Sequence, residues 1–463
     1  MQRLTGADAT FLYTQTPNAH MEIGACIVVD AEALPTGEAL LRHTLDWLQP
    51  RLHLAPMMRR RLVRVPFQLD HPVWVEDPGF DVEYHVRHVA LPAPGTFEQL
   101  GDLVGRLMSR RLDHSRPLWE LYVIEGLDGG RGATFMKTHH AAVDGVAGFN
   151  LLASMVDLAA AAPPPDPPDV QWEPEPIPTD VRLVADATAN LARQPLRGLK
   201  AARRLARQVA DARTKHGSAK VVLGELGAPE TRFNGTIGPH RRVRYFDLPL
   251  ADVKAAKKRS GAKLNDLVLT VVGGGLRRYL ERHDELPDAP LIAFVPISGR
   301  VPDAGGTDGN QTSMMYVALA TDEDDPATRL ARIAEASAAA KAVHADLGPS
   351  ALVDLSALTG PALAAASLRL VDTFRLLERT RLGGNVVVSN IPGPDFPLYT
   401  AGARISGLFP MGPIGEGTGL NVTLLSYLDS LGFSVVADRD LVPDLDDLVD
   451  DLRAAWKELD SCL

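Results

Sequence analysis

The chain has 463 residues, which is too long for one ordinary hydrophobic core and suggests two or three domains. Hydrophobic residues make up 45% and charged residues 23%, a balance that is typical of a folded globular protein and excludes a disordered one. The formal net charge is −10, whereas nucleic-acid-binding proteins normally carry a basic excess, so we expect no nucleic-acid partner. The two cysteines, Cys26 and Cys462, lie near opposite ends and give no disulfide framework, so we expect a reducing cytoplasm.

The sequence predicts neither a secretory signal nor a membrane span. The opening MQRLTGADATFLYTQ lacks a basic stretch followed by an apolar run. The longest charge-free apolar stretch, residues 355–368, contains Gly360 and Pro361 and is shorter than the roughly 18–20 residues that a span needs. We therefore expect any contact with lipid to be peripheral, at the inner face of the membrane or at lipid droplets.

The predicted elements of the first half lead to a pair of histidines. Thr96 and Gln99 form a capping box, and apolar residues then recur at helical spacing up to residue 108. Two strand-like runs, LWELYVIEGL and ATFMKTHH, flank the turn sequence DGG at 128–130, which predicts a hairpin. The second run delivers His139 and His140 at its end, where side chains can project into a cleft.

A proline-rich segment separates the two halves. Residues 159–180 (AAAAPPPDPPDVQWEPEPIPTD) predict an extended tether, because proline removes backbone donors and fixes φ. A helical stretch should follow from residue 181 to about 220, and nine Lys or Arg with one acid occupy 191–220. We predict an N-terminal domain over 1–160, a linker and basic crossover over 161–225, and a C-terminal domain over 226–463.

The second half also mixes helices and strands. Residues 264–280 (LNDLVLTVVGGGLRRYL) predict a helix in which Gly273 to Gly275 allow close packing and form no phosphate-binding loop. The strands LIAFVPI and MMYVALA, two Ala-rich helices over 326–379, the strand VVVSNIP, the hairpin LNVTLLSYLDSLGFSVVAD and an acidic terminal helix complete it. This order of elements indicates an α/β fold of two comparable domains.

The segment HHAAVDG carries groups that suit acyl transfer to a hydroxyl. The hydroxyl proton must leave as its oxygen attacks, and a neutral imidazole is suited to take it because its pKa lies near cellular pH. We predict that Asp144 is structural and pairs with an arginine, for which Arg300 in VPISGR is the candidate, since an unpaired buried carboxylate is costly. If the acyl donor is a thioester, its thiol is a good leaving group. The transfer then requires neither a metal nor a covalent intermediate.

HHAAVDG resembles the HHxxxDG motif of the CoA-dependent acyltransferase superfamily, which includes chloramphenicol acetyltransferase and the condensation domains of peptide synthetases. SRPLWELYVIEGL and LNDLVLTVVGGGLRRYL resemble the PLW and ND elements of the bacterial wax ester synthase/diacylglycerol acyltransferase family. The opening LTGADATFLYTQTPNAHMEIG and the stretches VPISGR and VVVSNIPGPDFPLY are similar to that family as well. The resemblance covers both predicted domains and leaves mainly the linker unmatched.

The resemblance implies a fold and a reaction. Two chloramphenicol-acetyltransferase-like domains would flank a central channel, with His140 as the general base, His139 as its support and Gly145 closing the motif. The reaction would esterify diacylglycerol or a long-chain alcohol with fatty acyl-CoA, which makes acyl-CoA a substrate and implies no cofactor. The pair Asn265 and Asp266 would support the site. Apart from the resemblance, Ser389 and Asn390 in SNIPGP lie in a predicted turn at a strand end, and their functional role would be to line the channel.

Other interpretations of the same residues stay open. The histidines could be a structural pair, and a metal site is disfavoured because neighbours on a strand face opposite ways and no third ligand has suitable spacing. Asn265 and Asp266 could be the N-cap of their helix. The basic stretch could be a solvated helix face or a helix lying on anionic lipid. The acceptor could be a polyketide or glycolipid hydroxyl, or the chain could be a lipid-binding relative without activity.

Overall fold

Two mixed sheets form the framework of a computed structural model that describes residues 1–143, 151, 154–170, 172–192, 203, 227–298, 312–347 and 384–463. Among these residues each large sheet has six strands. In spatial order the first contains β12 (Tyr399–Thr400), β13 (Ala403–Met411), β2 (Glu22–Asp30), β7 (Arg131–His139), β6 (Trp119–Leu127) and β5 (Val86–Ala90). The second contains β10 (Thr312–Ala318), β9 (Ile292–Ser298), β11 (Val386–Ile391), β14 (Leu420–Tyr427), β15 (Ser430–Asp438) and β8 (Arg241–Pro249).

Helices cover the faces of these sheets, and a small sheet of β1 (Gln2–Arg3), β4 (Val73–Glu76) and β3 (Arg60–Val63) lies at the N-terminal end. Helices of the first half are α1 (Gly6–Tyr13), α2 (Glu38–Leu48), α3 (Val82–His85), α4 (Phe97–Met108) and α5 (Asp180–Leu191). Those of the second half are α6 (Leu250–Ser260), α7 (Leu264–Arg282), α8 (Pro326–Leu347) and α9 (Leu445–Cys462). The predicted α/β fold class is confirmed.

The hairpin that carries the histidines forms as the sequence predicts. Strands β6 and β7 pair in antiparallel register, with Trp119 opposite Thr138 and Leu121 opposite Met136. The predicted capping box of α4 is also present, since the Gln99 N–H donates to Thr96 Oγ1 at 3.3 Å and the Thr96 N–H donates to Gln99 Oε1 at 2.7 Å. Apolar residues of α4 then pack against one face of the first sheet.

The first sheet takes strands from both halves of the chain. Strand β13 pairs with β2, so that Phe409 lies opposite Cys26 and Met411 opposite Gly24. The predicted C-terminal domain, 226–463, includes residues 403–411, because periodicity does not reveal which strand is the partner. The boundaries 1–160, 161–225 and 226–463 stay a prediction.

The three consecutive glycines of α7 permit close packing, as predicted. A Cβ on Gly275 would lie 2.9 Å from the Cα of Leu452 in α9, and one on Gly273 would lie 2.6 Å from the Leu319 carbonyl oxygen. The two helices therefore approach until backbone meets backbone. The N-cap interpretation of Asn265 is wrong, because Lys263 occupies that position.

The proline-rich segment has no helix or strand between residues 162 and 179 where it is described. It is anchored to the first half through the ring of Trp172, which lies 4.8 Å below the Arg59 guanidinium carbon and meets Phe80 edge-on. Helix α5 then packs Leu183 and Ala187 against the small sheet. The basic stretch 191–220 lies outside the described residues apart from positions 191, 192 and 203.

Candidate active site

His140 follows the last residue of β7 and begins a short 3-10 turn, His140–Ala142. Its backbone N–H donates to the Met21 carbonyl at 3.0 Å. Met21 itself has a φ of 53°, in the left-handed region. This conformation is uncommon for a residue with a side chain and is often found at functional sites. The predicted position of the histidine at a strand end is confirmed.

The His140 ring is held by packing. The ring of Phe11 in α1 stacks on it with 3.9 Å between centroids and 13° between planes. The Nδ1 atom is buried and meets no hydrogen-bond partner among the described residues. Helix α1 itself is fixed at its start, where Thr5 Oγ1 accepts from the Asp8 N–H at 3.1 Å. A stacked aromatic ring thus sets the plane in which the imidazole lies.

The His139 side chain lies on the opposite side of the strand end from His140. It is fully buried and is hydrogen-bonded to the backbone of the turn. Its Nδ1 accepts from the Ala141 N–H at 3.0 Å. Its Nε2 lies 2.6 Å from the side-chain amide of Gln15, which also donates to the His20 carbonyl at 2.6 Å. These contacts give His139 the character of a structural support for the turn that begins at His140.

Burial keeps the imidazoles of this region neutral. It lowers the pKa of His140 below the ordinary 6.5, an effect that the interaction of the ring with its own backbone partly opposes. Burial, followed by the nearby His114, lowers the pKa of His139 to about 3. Burial and Arg111 lower that of His114 to about 4. At neutral pH the His140 imidazole is therefore unprotonated, which is the state a general base requires.

A buried ion pair lies behind the histidines on the same face of the sheet as His139. Lys137 is 0% exposed, and its Nζ lies 3.2 Å from Glu22 Oε2 and 3.7 Å from Glu120 Oε2. The same ammonium donates to the Leu107 carbonyl at 3.1 Å, and Glu22 Oε1 accepts from the Leu112 N–H at 2.6 Å. The pair thereby fastens the end of β7 to the segment that follows α4.

A cavity of about 490 Å³ lies against the histidine turn, a size within the range of small-molecule sites. It is bounded by Thr138, which precedes the pair, and by Ala141 and Val143, which follow it. Leu118 and Trp119 of the PLW element are buried and also line the cavity. Its other walls include Leu4, Leu54, Met57, Met58, Trp74 and Met136, with Arg3, Asp8 and Arg60 as charged members.

The predicted residues of the HHAAVDG motif and its arginine partner are only partly within the described chain. Asp144, Gly145 and Arg300 lie outside the described residues, so the predicted ion pair stays a prediction. Asp266 is 4% exposed, and its Oδ2 accepts from the Lys263 N–H at 3.3 Å, which caps the first turn of α7.

The remaining candidates are not joined to the histidines by a contact within the described part of the chain. Asn265 is the second residue of α7. Ser389 and Asn390 are half-buried on β11, opposite Thr423 and Leu424 of β14. Their predicted places near a channel therefore stay predictions.

Phe11, Gln15 and Met21 contact the histidine pair but were not predicted as site residues from the sequence. Each is far from the histidines along the chain, and Gln15 and His139 are separated by 124 positions. All three lie within the opening segment LTGADATFLYTQTPNAHMEIG, whose family resemblance was the one available signal.

No helix in the described part of the chain is long and apolar enough to cross a membrane. In the same residues no group of three His, Cys, Asp or Glu side chains is arranged to hold a metal ion.

Solved structures share this architecture. A wax ester synthase/diacylglycerol acyltransferase from Marinobacter aquaeolei is 26% identical with a TM-score of 0.70, over 99% of this chain and 98% of that one. A condensation domain of the calcium-dependent antibiotic synthetase is 17% identical with a TM-score of 0.57, over 99% of this chain and 96% of that one. The second likeness concerns the fold alone. The likeness to the Marinobacter enzyme indicates an acyltransferase built on this two-sheet fold.

Sequence comparison then gives the family. The profile of the wax ester synthase/diacylglycerol acyltransferase catalytic domain matches residues 4–268, and that of the family's C-terminal domain matches residues 308–460. A Mycobacterium tuberculosis protein named "Putative diacylglycerol O-acyltransferase" is 35% identical over 100% of this chain and 91% of its own length. A second protein of that organism and name is 36% identical over 96% and 92%. This chain belongs to the wax ester synthase/diacylglycerol acyltransferase family.

Proposed function

We propose that this protein transfers a long-chain fatty acyl group from acyl-CoA to diacylglycerol, and also to long-chain alcohols, with His140 as the general base. The observation that carries the proposal is the His140 imidazole, stacked on Phe11, at the start of a turn whose next residues line a cavity with apolar walls such as Leu4, Met58 and Trp74. An alkyl chain fits such a cavity because each buried methylene contributes about 0.8 kcal/mol.

The chemistry needs two proton movements. The acceptor hydroxyl attacks the thioester carbonyl carbon while its proton passes to the His140 imidazole. The carbon–sulfur bond then breaks as the tetrahedral intermediate collapses, and the imidazolium returns the proton to the CoA thiolate. Ester and free CoA are the products, and the histidine ends unprotonated. No cofactor enters this cycle.

The acceptor is identified by a panel assay. Purified protein is incubated with labelled palmitoyl-CoA and, separately, with dipalmitoylglycerol, hexadecanol, and a short alcohol such as butanol. We expect ester with the first two and little with butanol, because a short alcohol buries little apolar surface. Ester with none of them, while palmitoyl-CoA or lipid still binds, would contradict the proposal and favour a lipid-binding relative. Ester with butanol alone would indicate a different acceptor class.

We also propose that the protein meets its insoluble acceptors peripherally, at a membrane or lipid-droplet surface. Phe67 is 87% exposed and Val181 is 80% exposed, although both side chains are large and apolar. They belong to neighbouring elements, because Leu69 and Leu183 share one apolar cluster. Exposed apolar side chains on adjoining elements are typical of surfaces that contact lipid.

Liposome co-flotation tests the peripheral contact. Phe67→Ser should reduce the fraction of protein that floats with vesicles of phosphatidylcholine and phosphatidylglycerol. Phe396→Ser is the matched control, because Phe396 is 49% exposed in the other half of the chain. Equal flotation of wild type and Phe67→Ser would contradict the contact at this surface.

A further inference from the structure

A second cavity lies in the same layer as the first. It has a volume of about 330 Å³ and is enclosed between α2 and the face of β6 and β7. Leu40 and Trp47 of α2 form one wall, and Val123 and Thr134 of the strands form the other. Nothing in the chemistry of the histidine turn requires a second apolar cavity of this kind.

The two cavities follow one another along a single face of the hairpin. In an antiparallel pair, opposite residues share a face, and so do alternate residues of each strand. The register gives three successive rows: Trp119 with Thr138, Leu121 with Met136, and Val123 with Thr134. The first row lines the first cavity and the third row lines the second.

The middle row is the wall between them. Met136 lines the first cavity and its partner Leu121 lines the second, and both side chains are buried in one apolar cluster. The segment that covers this face of the sheet passes the two cavities in the same order. Leu151 lines the first cavity, and Met155, four residues later, lines the second. The partition is therefore about one side chain thick.

We infer that the two cavities are successive sections of one site for a hydrocarbon chain, and that Met136 is the movable partition that sets the longest chain accepted. Methionine has three rotatable side-chain bonds and fills irregular gaps, so it can change rotamer where a branched side chain would be fixed. Chains that end at Met136 occupy the first section, and longer chains displace its thioether and enter the second. This inference rests on the proposed function, because it names the substrate part that the cavity beside His140 receives.

The test compares chain-length profiles. Met136→Ala should join the two sections and raise the ratio of kcat/KM for eicosanoyl-CoA over palmitoyl-CoA about tenfold, as expected for added methylenes in a hydrophobic pocket. The same series run on alcohols with palmitoyl-CoA fixed shows whether the chain belongs to the acyl donor or to the acceptor. Thr134→Leu, which fills the second section alone, should lower the ratio and reverse the gain when combined with Met136→Ala.

Met108→Ala is the matched control. Met108 is equally buried, but it packs in the cluster on the opposite face of the sheet and lines neither section. Met108→Ala should leave the chain-length ratio of kcat/KM as in the wild type, both for acyl-CoA donors and for alcohol acceptors. Unchanged ratios in folded Met136→Ala, for donors and acceptors alike, would overturn the inference.

Calorimetric binding of dodecanoic, palmitic and eicosanoic acids separates this inference from the proposed function. A shift of binding toward eicosanoic acid in Met136→Ala would support the partition even if no ester forms with any acceptor. If Met136→Ala does not fold, the Thr134→Leu binding profile decides, and its identity with the wild-type profile would count against the partition.

Discussion

Removal of the Lys137 ammonium should be among the most destabilising single changes in the first half. Lys137→Met keeps the length of the side chain but leaves the Glu22 carboxylate buried, with the Leu112 N–H at 2.6 Å as its remaining hydrogen bond. Breaking a buried ion pair in this way costs about 3–5 kcal/mol, because one charge stays uncompensated. Lys137→Met with Glu22→Gln removes both charges and keeps an acceptor for Leu112, so it should recover most of that loss.

The loss of stability in Lys137→Met should depend on pH in a definite direction. Burial raises the pKa of Glu22 above the ordinary 4.5, and Lys137 is the largest opposing influence. Without Lys137 the folded state binds the Glu22 proton still more tightly than the unfolded state does. Stability of the single variant should therefore fall as pH rises from 4.5, and the deficit against wild type should be larger at pH 8 than at pH 5.

Urea unfolding of wild type, both single variants and the double variant measures this cycle. We expect the double variant to be more stable than Lys137→Met. If the two single losses instead add in the double variant, or if Lys137→Met costs less than about 1 kcal/mol, the pair is not the buried interaction described.

Two further predictions concern the site and the second half. The acid limb of the kcat/KM profile should lie below pH 6.5, because burial lowers the pKa of His140, and a limb at or above 6.5 would contradict that environment. Gly275→Ala should lower the free energy of unfolding by about 1–3 kcal/mol through overpacking against Leu452, whereas Gly261→Ala is its contrast, since its Cβ would meet open space and only the φ of 70° is unfavourable. Thermal unfolding of the two variants checks the second prediction, and a larger loss in Gly261→Ala would contradict it.

The position of the base was predictable because its determinants are local. Two alternating runs around a DGG turn define the hairpin, and the strand must end where HHAAVDG begins. Its surroundings were not predictable, because Phe11 and Met21 reach His140 through tertiary packing, and a stacking partner leaves no periodicity in the sequence.

The pairing of strands and the exact start of a helix could not be predicted from the sequence. The sequence predicted the helix over 264–280 but no strand over 403–411, and it could not show that β13 crosses to β2, since pairing depends on which edge is free. The first turn of α7 begins after Lys263, a residue with no preference for the N-cap, and Asp266 compensates from the third helical position.

The central claim is that His140 acts as a base and not as a structural residue. The most direct measurement is acceptor-dependent release of CoA from palmitoyl-CoA by wild type and His140→Ala, with His43→Ala, an exposed histidine in α2, as the control. We predict a loss of about 100- to 10,000-fold for His140→Ala with palmitoyl-CoA binding retained, and wild-type rates for His43→Ala. A folded His140→Ala protein that turns over within about tenfold of wild type would contradict the account.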